Sequence, residues 1–408
     1  MNPVVGLLLA ETLSYTATRL ALIAIPWFVL ETTGSPVYMG VVAFFEVGSY
    51  ALARLLGGPL LDRWGQRVMS IRADLVGAVA VLCVPVAHAA GVLSFPLLLV
   101  LVTVIGLAAG PGEASKVSLA PAVAAATGMR IERVTGLTGT VDRLSQTVGP
   151  LVAGGVVAAV GTLPALYGNA VLLVLSALVL GAVRVGAPVA EAAGGGYLNS
   201  LLSGFRVIWC DPTLRTLVLV AAVTNAIDMA VFSLVLPVWV FENGMGPEVV
   251  GLVGGALGAA SVLGSLVATA VGHRLPRRLT FFVGLALAGP PHIAVLALDG
   301  PLWVVLAVFA ASGVFGGLLN PILGAVLFER LPPEAVGRGT ATIGALVRLA
   351  APLGGPLMGT TVALVGIAPA VLAGAGIYLL FALAPLFGRA AHGLDRPEPV
   401  PEPTAQES

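Results

Sequence analysis

The sequence predicts an all-α membrane protein of twelve transmembrane helices, arranged as two pseudo-symmetric six-helix bundles. Three observations carry that reading: the hydropathy of the chain, the one-sided placement of its arginines, and a duplication of its first half in its second. Of 408 residues, 58% are hydrophobic and 10% charged, and mean hydropathy is +1.02. Soluble domains sit near half apolar and a quarter charged, so a soluble chain of this composition would lack the polar surface to cover itself. A helical span needs about 20 mostly apolar residues to cross a hydrocarbon core of about 30 Å. Backbone groups in lipid must be satisfied internally, which leaves helices or a closed barrel. The apolar runs are continuous and do not alternate with period two, which excludes the barrel.

Taken in order, the runs fall near residues 5–30, 36–60, 70–90, 95–115, 136–160, 163–183, 214–240, 248–271, 279–297, 302–327, 340–364 and 367–387. The first has no Lys or Arg before it and outlasts a signal peptide's apolar core, so it reads as a retained span. Connections after even-numbered spans, with the tail, carry the arginines, among them Arg63, Arg67, Arg130, Arg133, Arg184, Arg206, Arg277, Arg278, Arg330 and Arg338. Connections after odd-numbered spans carry none, and their charges are acidic, as in Glu31, Glu242, Glu248 and Asp299. By the positive-inside rule both termini are expected in the cytoplasm, the membrane being a bacterial inner membrane.

The expected divisions are an N-terminal bundle over 1–184, a cytoplasmic linker over 185–212, a C-terminal bundle over 213–388 and a disordered tail over 389–408. The linker holds a flexible "AEAAGGGY" segment. "YLNSLLSGFRVIW" follows it, with Leu198, Leu201, Leu202, Phe205, Ile208 and Trp209 on one helical face, which suits a helix lying on the membrane surface. The tail is rich in proline.

The halves repeat one another. "PWFVLETTGSPVYMG" (Pro26–Gly40) matches "PVWVFENGMGPEVVG" (Pro237–Gly251) at a constant offset of 211, and "VDRLSQTVGPLVAG" (Val141–Gly154) matches "LVRLAAPLGGPLMG" (Leu346–Gly359) at 205. Shared Pro, Glu, Gly and Arg positions argue against convergence of two apolar sequences. Parallel halves about an axis along the membrane normal are one repeat plan of secondary transporters, which bind substrate near mid-membrane between them.

One stretch resists the apolar reading: "GGPLLDRWGQR" (Gly57–Arg67), at the end of the second span. It resembles the major facilitator superfamily signature G-x-L-x-D-R-x-G-x-R, here as Gly58, Leu60, Asp62, Arg63, Gly65 and Arg67. The resemblance implies the major facilitator fold and a conformational latch between bundles. Asp62 would face the positive N-terminus of the eleventh helix, and Arg63 and Arg67 would engage acids such as Glu113 or Asp142. "GPLVAGG" (Gly149–Gly155) is similar to the glycine motif of the superfamily's antiporters, here as Gly149, Pro150, Gly154 and Gly155, one residue longer. It reads equally as ordinary small-residue helix packing. "GPGEASKVSLAP" (Gly110–Pro121), with "TGSPVYMG" and "FRVIWCDPTLR", resembles the enterobactin-exporter and macrolide-efflux branch.

Ionisable groups at membrane depth cost about 2.5–3.5 kcal/mol each and default to functional candidates. In the first span Glu11, Tyr15 and Arg19 recur every four residues on one face. In the family, spans 1, 4, 7 and 10 line the central cavity. Asn225 and Asp228 of span 7, Asn320 of span 10, Glu46 of span 2 and Glu113 of span 4 join the candidates. The repeat sets Asp228 opposite Ala17, hence at the depth of Arg19. Asp228, Arg19 and Glu46 are expected to form a proton or substrate-charge site; a static ion pair is the competing reading, and Glu46 has Arg54 as a further partner. His88, His292 and His392 look incidental.

The expected function is secondary export of a hydrophobic or amphipathic small molecule (a drug, siderophore or secondary metabolite) by proton antiport. A nutrient importer or a lipid flippase on the same scaffold is the alternative. No cofactor is expected beyond the proton gradient, and the expected partners are substrate, protons and lipid, the protein acting as a monomer. Zero net charge without basic tracts gives nucleic acid no purchase. Cys83 and Cys210 suggest neither disulfide nor metal, and no H-E-x-x-H or P-loop points to an enzyme.

Overall fold

The computed structural model describes residues 2–57, 64–183, 205–206, 208–271, 276–298, 300–331 and 336–387. Every regular element among them is a helix. In chain order they are α1 (Pro3–Thr33), α2 (Pro36–Leu56), α3 (Gln66–Ala89), α4 (Phe95–Ser118, continuing as Ala120–Thr127), α5 (Ile131–Val160) and α6 (Thr162–Ala182). The second half holds α7 (Pro212–Glu242), α8 (Pro247–Val271), α9 (Arg277–Ala297), α10 (Leu302–Arg330), α11 (Val336–Val365) and α12 (Ile367–Leu383).

By length and composition α1 to α10 can each cross a membrane. α12 is one residue short of that length, and α11 is divided at Ala351–Leu353 by a tighter 3-10 turn. Helix starts follow their sequence signals. Asn2 accepts from the Val4 N–H and Asp211 from those of Thr213 and Leu214, each ahead of a proline at the first helical position.

Three helices of the second half are interrupted. α7 contains a wide π turn at Val231–Val235. α9 breaks at Gly289: Pro290 and Pro291 bring no N–H to the preceding carbonyls, and the freed Leu287 carbonyl accepts instead from Ser312 of α10 at 3.2 Å. Gly289 is also where the Tyr378 ring seats, since a Cβ there would fall 2.1 Å from Tyr378 Cζ.

The expected duplication is visible in the backbone. Gly161, between α5 and α6, and Gly366, between α11 and α12, are 205 positions apart and share a positive φ, 87° and 86°, a conformation that favours glycine. The contacts between halves are duplicated too: α5 packs on α8, and its repeat partner α11 packs on α2.

Both contacts are built from glycine. A Cβ on Gly154 would lie 2.7 Å from the Pro247 carbonyl oxygen, and one on Gly40 would lie 2.7 Å from that of Gly355. Backbones approach this closely only where small residues permit it. Both crossings lie away from the arginine-bearing connections. At the same end Trp27 of α1 meets Phe241 of α7 edge-on, ring centroids 6.0 Å apart, and one buried apolar cluster runs through both halves, from Leu20–Leu30 of α1 to Val231–Val240 of α7. α1 touches α7 mainly through Val231–Glu242. Towards the arginine-bearing end the first halves of α1 and α7 no longer pack closely on one another, and Thr12 and Thr16 of α1 stand exposed or half-exposed. The two bundles thus close at one end around a cleft that opens at the other.

Candidate functional site

Among the described residues the interior charges form three clusters, with Arg19 and Glu46 outside them. In the first cluster Lys116 of α4 and Asp74 of α3 make an ion pair of 2.8 Å, the lysine fully buried. Lys116 also donates to Ser14 Oγ at 3.1 Å, and Asp74 accepts from Ser14 at 3.3 Å and from Ser176 of α6 at 2.6 Å. α1, α3, α4 and α6 are tied at one point. Glu11 lies fully buried in the same bundle, with no hydrogen-bond partner on either carboxylate oxygen. Neither Asp74 nor Lys116 was among the sequence candidates, although Asp74 lies inside an apolar run and Lys116 at the edge of another.

The second cluster is centred on Glu113. Its Oε2 accepts from Tyr50 at 2.6 Å and from Arg54 at 3.1 Å, and its Oε1 accepts from Thr18 at 2.9 Å. Arg54 also donates to the Tyr50 hydroxyl at 2.6 Å. Two sequence expectations are corrected here. Arg54 pairs with Glu113 and not with Glu46, which is buried with its Oε2 unpartnered. Arg67 engages neither Glu113 nor Asp142; it donates to the carbonyls of Leu180, at 3.1 Å, and Gly181, in the last turn of α6. Asp142 accepts from Gln146 one turn along at 2.9 Å.

The third cluster is in the second half, where the π turn of α7 and the break of α9 bring Asp228 and His292 together. His292 is buried, with its Nδ1 2.7 Å from the Ala288 carbonyl oxygen. A carbonyl can only accept, so Nδ1 carries a proton. Nε2 then faces Asp228 Oδ1 at 3.6 Å, just beyond hydrogen-bond reach, and neither atom has a hydrogen-bond partner. With no proton between them two lone pairs oppose; with one, the contact is attractive. Phe309 closes over the imidazole at 5.0 Å, and Phe232 stands 6.3 Å away. The Asp228 side chain is 35% exposed although its Oδ1 is covered. His292, which looked incidental in the sequence, is a member of the site.

Arg19 does not pair with Asp228. Its aliphatic stem lies on Gly149 of α5, where a Cβ would fall 2.7 Å from Arg19 Cγ, and its Nε is covered without an acceptor. Tyr15 is buried beside it on α1 and Asn225 is half-buried. In the glycine motif Gly154 makes the α5–α8 crossing, Pro150 presents its carbonyl to Gly251, and Gly155 faces open space. Gly65 has a φ of 75° ahead of α3. Gly58, Leu60, Asp62 and Arg63 lie outside the described residues, as do residues 185–204 of the 185–212 linker, with Leu198, Leu201 and Leu202 of the surface helix, and the tail. Of that helix Ile208 is buried, while Phe205 and Trp209 stack at 4.9 Å on the outside. The side chain of Asn320 on α10 is likewise outside the described set. No group of three metal-ligating side chains occurs among the described residues.

Comparison with known proteins agrees with this architecture. The chain is 28% identical over 370 residues to the multidrug efflux pump Tap of Mycolicibacterium fortuitum, covering 87% of this chain and 89% of that one. It is 28% identical over 325 residues to a chloramphenicol resistance protein of Streptomyces lividans, covering 77% and 78%. Among solved structures its fold matches the nucleoside transporter NupG with a TM-score of 0.77 at 16% identity over 94% of this chain and 98% of that one. It matches a bacterial homologue of the human lysosomal transporter Spinster at 0.73 and 15% over 97% and 98%. The family model of the Major Facilitator Superfamily matches twice, over residues 7–246 and 218–407. Two like bundles, each answering to that one model and meeting across a shared cleft, make this chain a multi-pass membrane protein of the major facilitator superfamily.

Proposed function

We propose that the protein exports hydrophobic or amphipathic small molecules by alternating access, in exchange for protons that load at the Asp228–His292 pair. In this reading the bundles 1–184 and 213–388 rock about the cleft, the arginine-bearing end faces the cytoplasm of a bacterial inner membrane, and the state described above is open to the cytoplasm. Its similarity to a multidrug efflux pump and to a chloramphenicol resistance protein supports efflux. The observation that supports proton coupling is the pair itself: two covered titratable atoms 3.6 Å apart with no hydrogen-bond partner, on an aspartate whose side chain is still partly exposed. Tyr378 is the other titratable group beside Asp228, from α12. Closing the cleft removes water from the carboxylate and favours its neutral form; opening it to either face lets the proton exchange.

Each pH unit across the membrane is worth about 1.4 kcal/mol, enough for about tenfold accumulation. The test is uptake of lipophilic compounds, chloramphenicol among them, into everted vesicles while the pH gradient is imposed and then collapsed. Uptake should follow the gradient in the wild type, and Asp228→Asn should cut it to the level of vesicles lacking the protein. Uptake indifferent to the gradient in both would remove proton antiport. Accumulation in right-side-out vesicles instead would favour import.

A further inference from the structure

We infer that Arg19 is a substrate-binding residue, and that the cleft is built to take amphipathic molecules carrying an acidic group. The inference rests on the efflux reading for its physiological meaning and on bookkeeping of charge for its argument. Among the described residues no acid reaches Arg19: Glu113 is held by Arg54, Asp74 by Lys116, Asp228 faces His292, and the buried Glu46 and Glu11, though they keep unpartnered oxygens, make no ion pair with it. Arg19 has no ion pair or hydrogen bond among the described residues, and its Nε is covered with no acceptor in reach. Glu11, on the same face of α1 two turns away, makes no contact with it.

The seat is built for this side chain. Gly149 has no Cβ, and that space is filled by the arginine stem; a side chain there would displace Arg19 from the wall between α1 and α5. A guanidinium held by its stem with its fork unspent matches a carboxylate, sulfonate or phosphate through two parallel N–H···O bonds. The apolar walls of the bundle take the remainder of such a molecule. Gly149, read from the sequence as part of a packing motif, is thereby assigned to the binding site.

Two probes of similar shape separate this idea from its rivals: 8-anilinonaphthalene-1-sulfonate, an anion, and N-phenyl-1-naphthylamine, its neutral counterpart. Equilibrium binding is measured on the purified full chain in detergent, for the wild type, Arg19→Gln and Arg19→Lys. The expectation is a loss of sulfonate affinity of about ten- to a hundredfold in Arg19→Gln, the range of a charged hydrogen bond. Arg19→Lys should fall between, keeping the charge and losing the fork, and binding of the neutral probe should change less than about twofold. Equal sulfonate affinity in wild type and Arg19→Gln, or equal losses for both probes, overturns the assignment and makes Arg19 a structural charge. Transport of the neutral probe in everted vesicles reports separately on efflux. Should that transport be absent while the binding difference holds, the efflux reading fails and the Arg19 site stands.

Discussion

The Lys116–Asp74 pair shows what a single residue is worth inside this bundle. A buried ion pair gains little over a well-packed apolar pair, because desolvation consumes most of the attraction, but removing one partner strands the other charge at a cost of about 3–5 kcal/mol. Here the stranded group would be Asp74, left with only Ser14 and Ser176. Lys116→Met should therefore lower the thermal unfolding temperature of the purified protein sharply, and adding Asp74→Asn should restore most of the loss. A double variant no more stable than Lys116→Met would show that the pair acts through something other than charge compensation. Pairings of this kind were the least legible part of the sequence. Residue type and hydropathy announced that Glu113 and Asp228 mattered, but partner choice depends on helix rotation, and one sequence does not fix it. Glu113 went to Arg54 and not to Arg67 for that reason. His292, alone in an apolar run, had no period to mark it.

At the scale of elements, hydropathy and the repeat marked all twelve helices, because a span is a length of apolar chain and length can be counted. The interruptions in α9 and α11 were not marked. Proline supplies half of each, and the other half is a tertiary partner, Tyr378 for Gly289 and Gly48 of α2 for Pro352. The glycine crossing of α5 on α8 was legible as a motif and undecided in meaning, and the structure distinguishes its two paired glycines. A side chain at Gly154 meets backbone that cannot yield, whereas one at Gly155 meets nothing within 4 Å. Gly154→Val should therefore separate the bundles at their closed end, at an overpacking cost of about 1–3 kcal/mol, while Gly155→Val leaves them unchanged. Spin labels at Thr33→Cys and Asn243→Cys, in a background without Cys83 and Cys210, would read this as a longer distance population in the first variant only. Lengthening in both, or in neither, would deny Gly154 a role in closure.

Across the whole molecule the two bundles have kept one topology and diverged in what holds them. The first is fastened inside by two polar clusters that join α1, α2, α3, α4 and α6. The second has the Asp228–His292 contact and three helices broken within their spans, by a π turn in α7, a break at Gly289 in α9 and a 3-10 turn in α11, against a single interruption at Leu119 in α4 of the first. Such irregularities replace i-to-i−4 hydrogen bonds with weaker ones and are common where helices bend. If the bundles rock as halves, the bending belongs to the second, and the Asp228–His292 pair sits at its most bendable point, between the π turn and the α9 break. Hydrogen–deuterium exchange in detergent should then be faster in α7, α9 and α11 than in their repeat counterparts α1, α3 and α5, even where both members of a pair are equally covered. Asp228→Asn, which removes the charge at the junction, should slow exchange around Val231–Val235 and Pro290–Ala294 and leave α3 and α4 as they were. Equal exchange in the two bundles would mean that the breaks are rigid features of packing, and that the bundles turn as solid bodies about their glycine crossings.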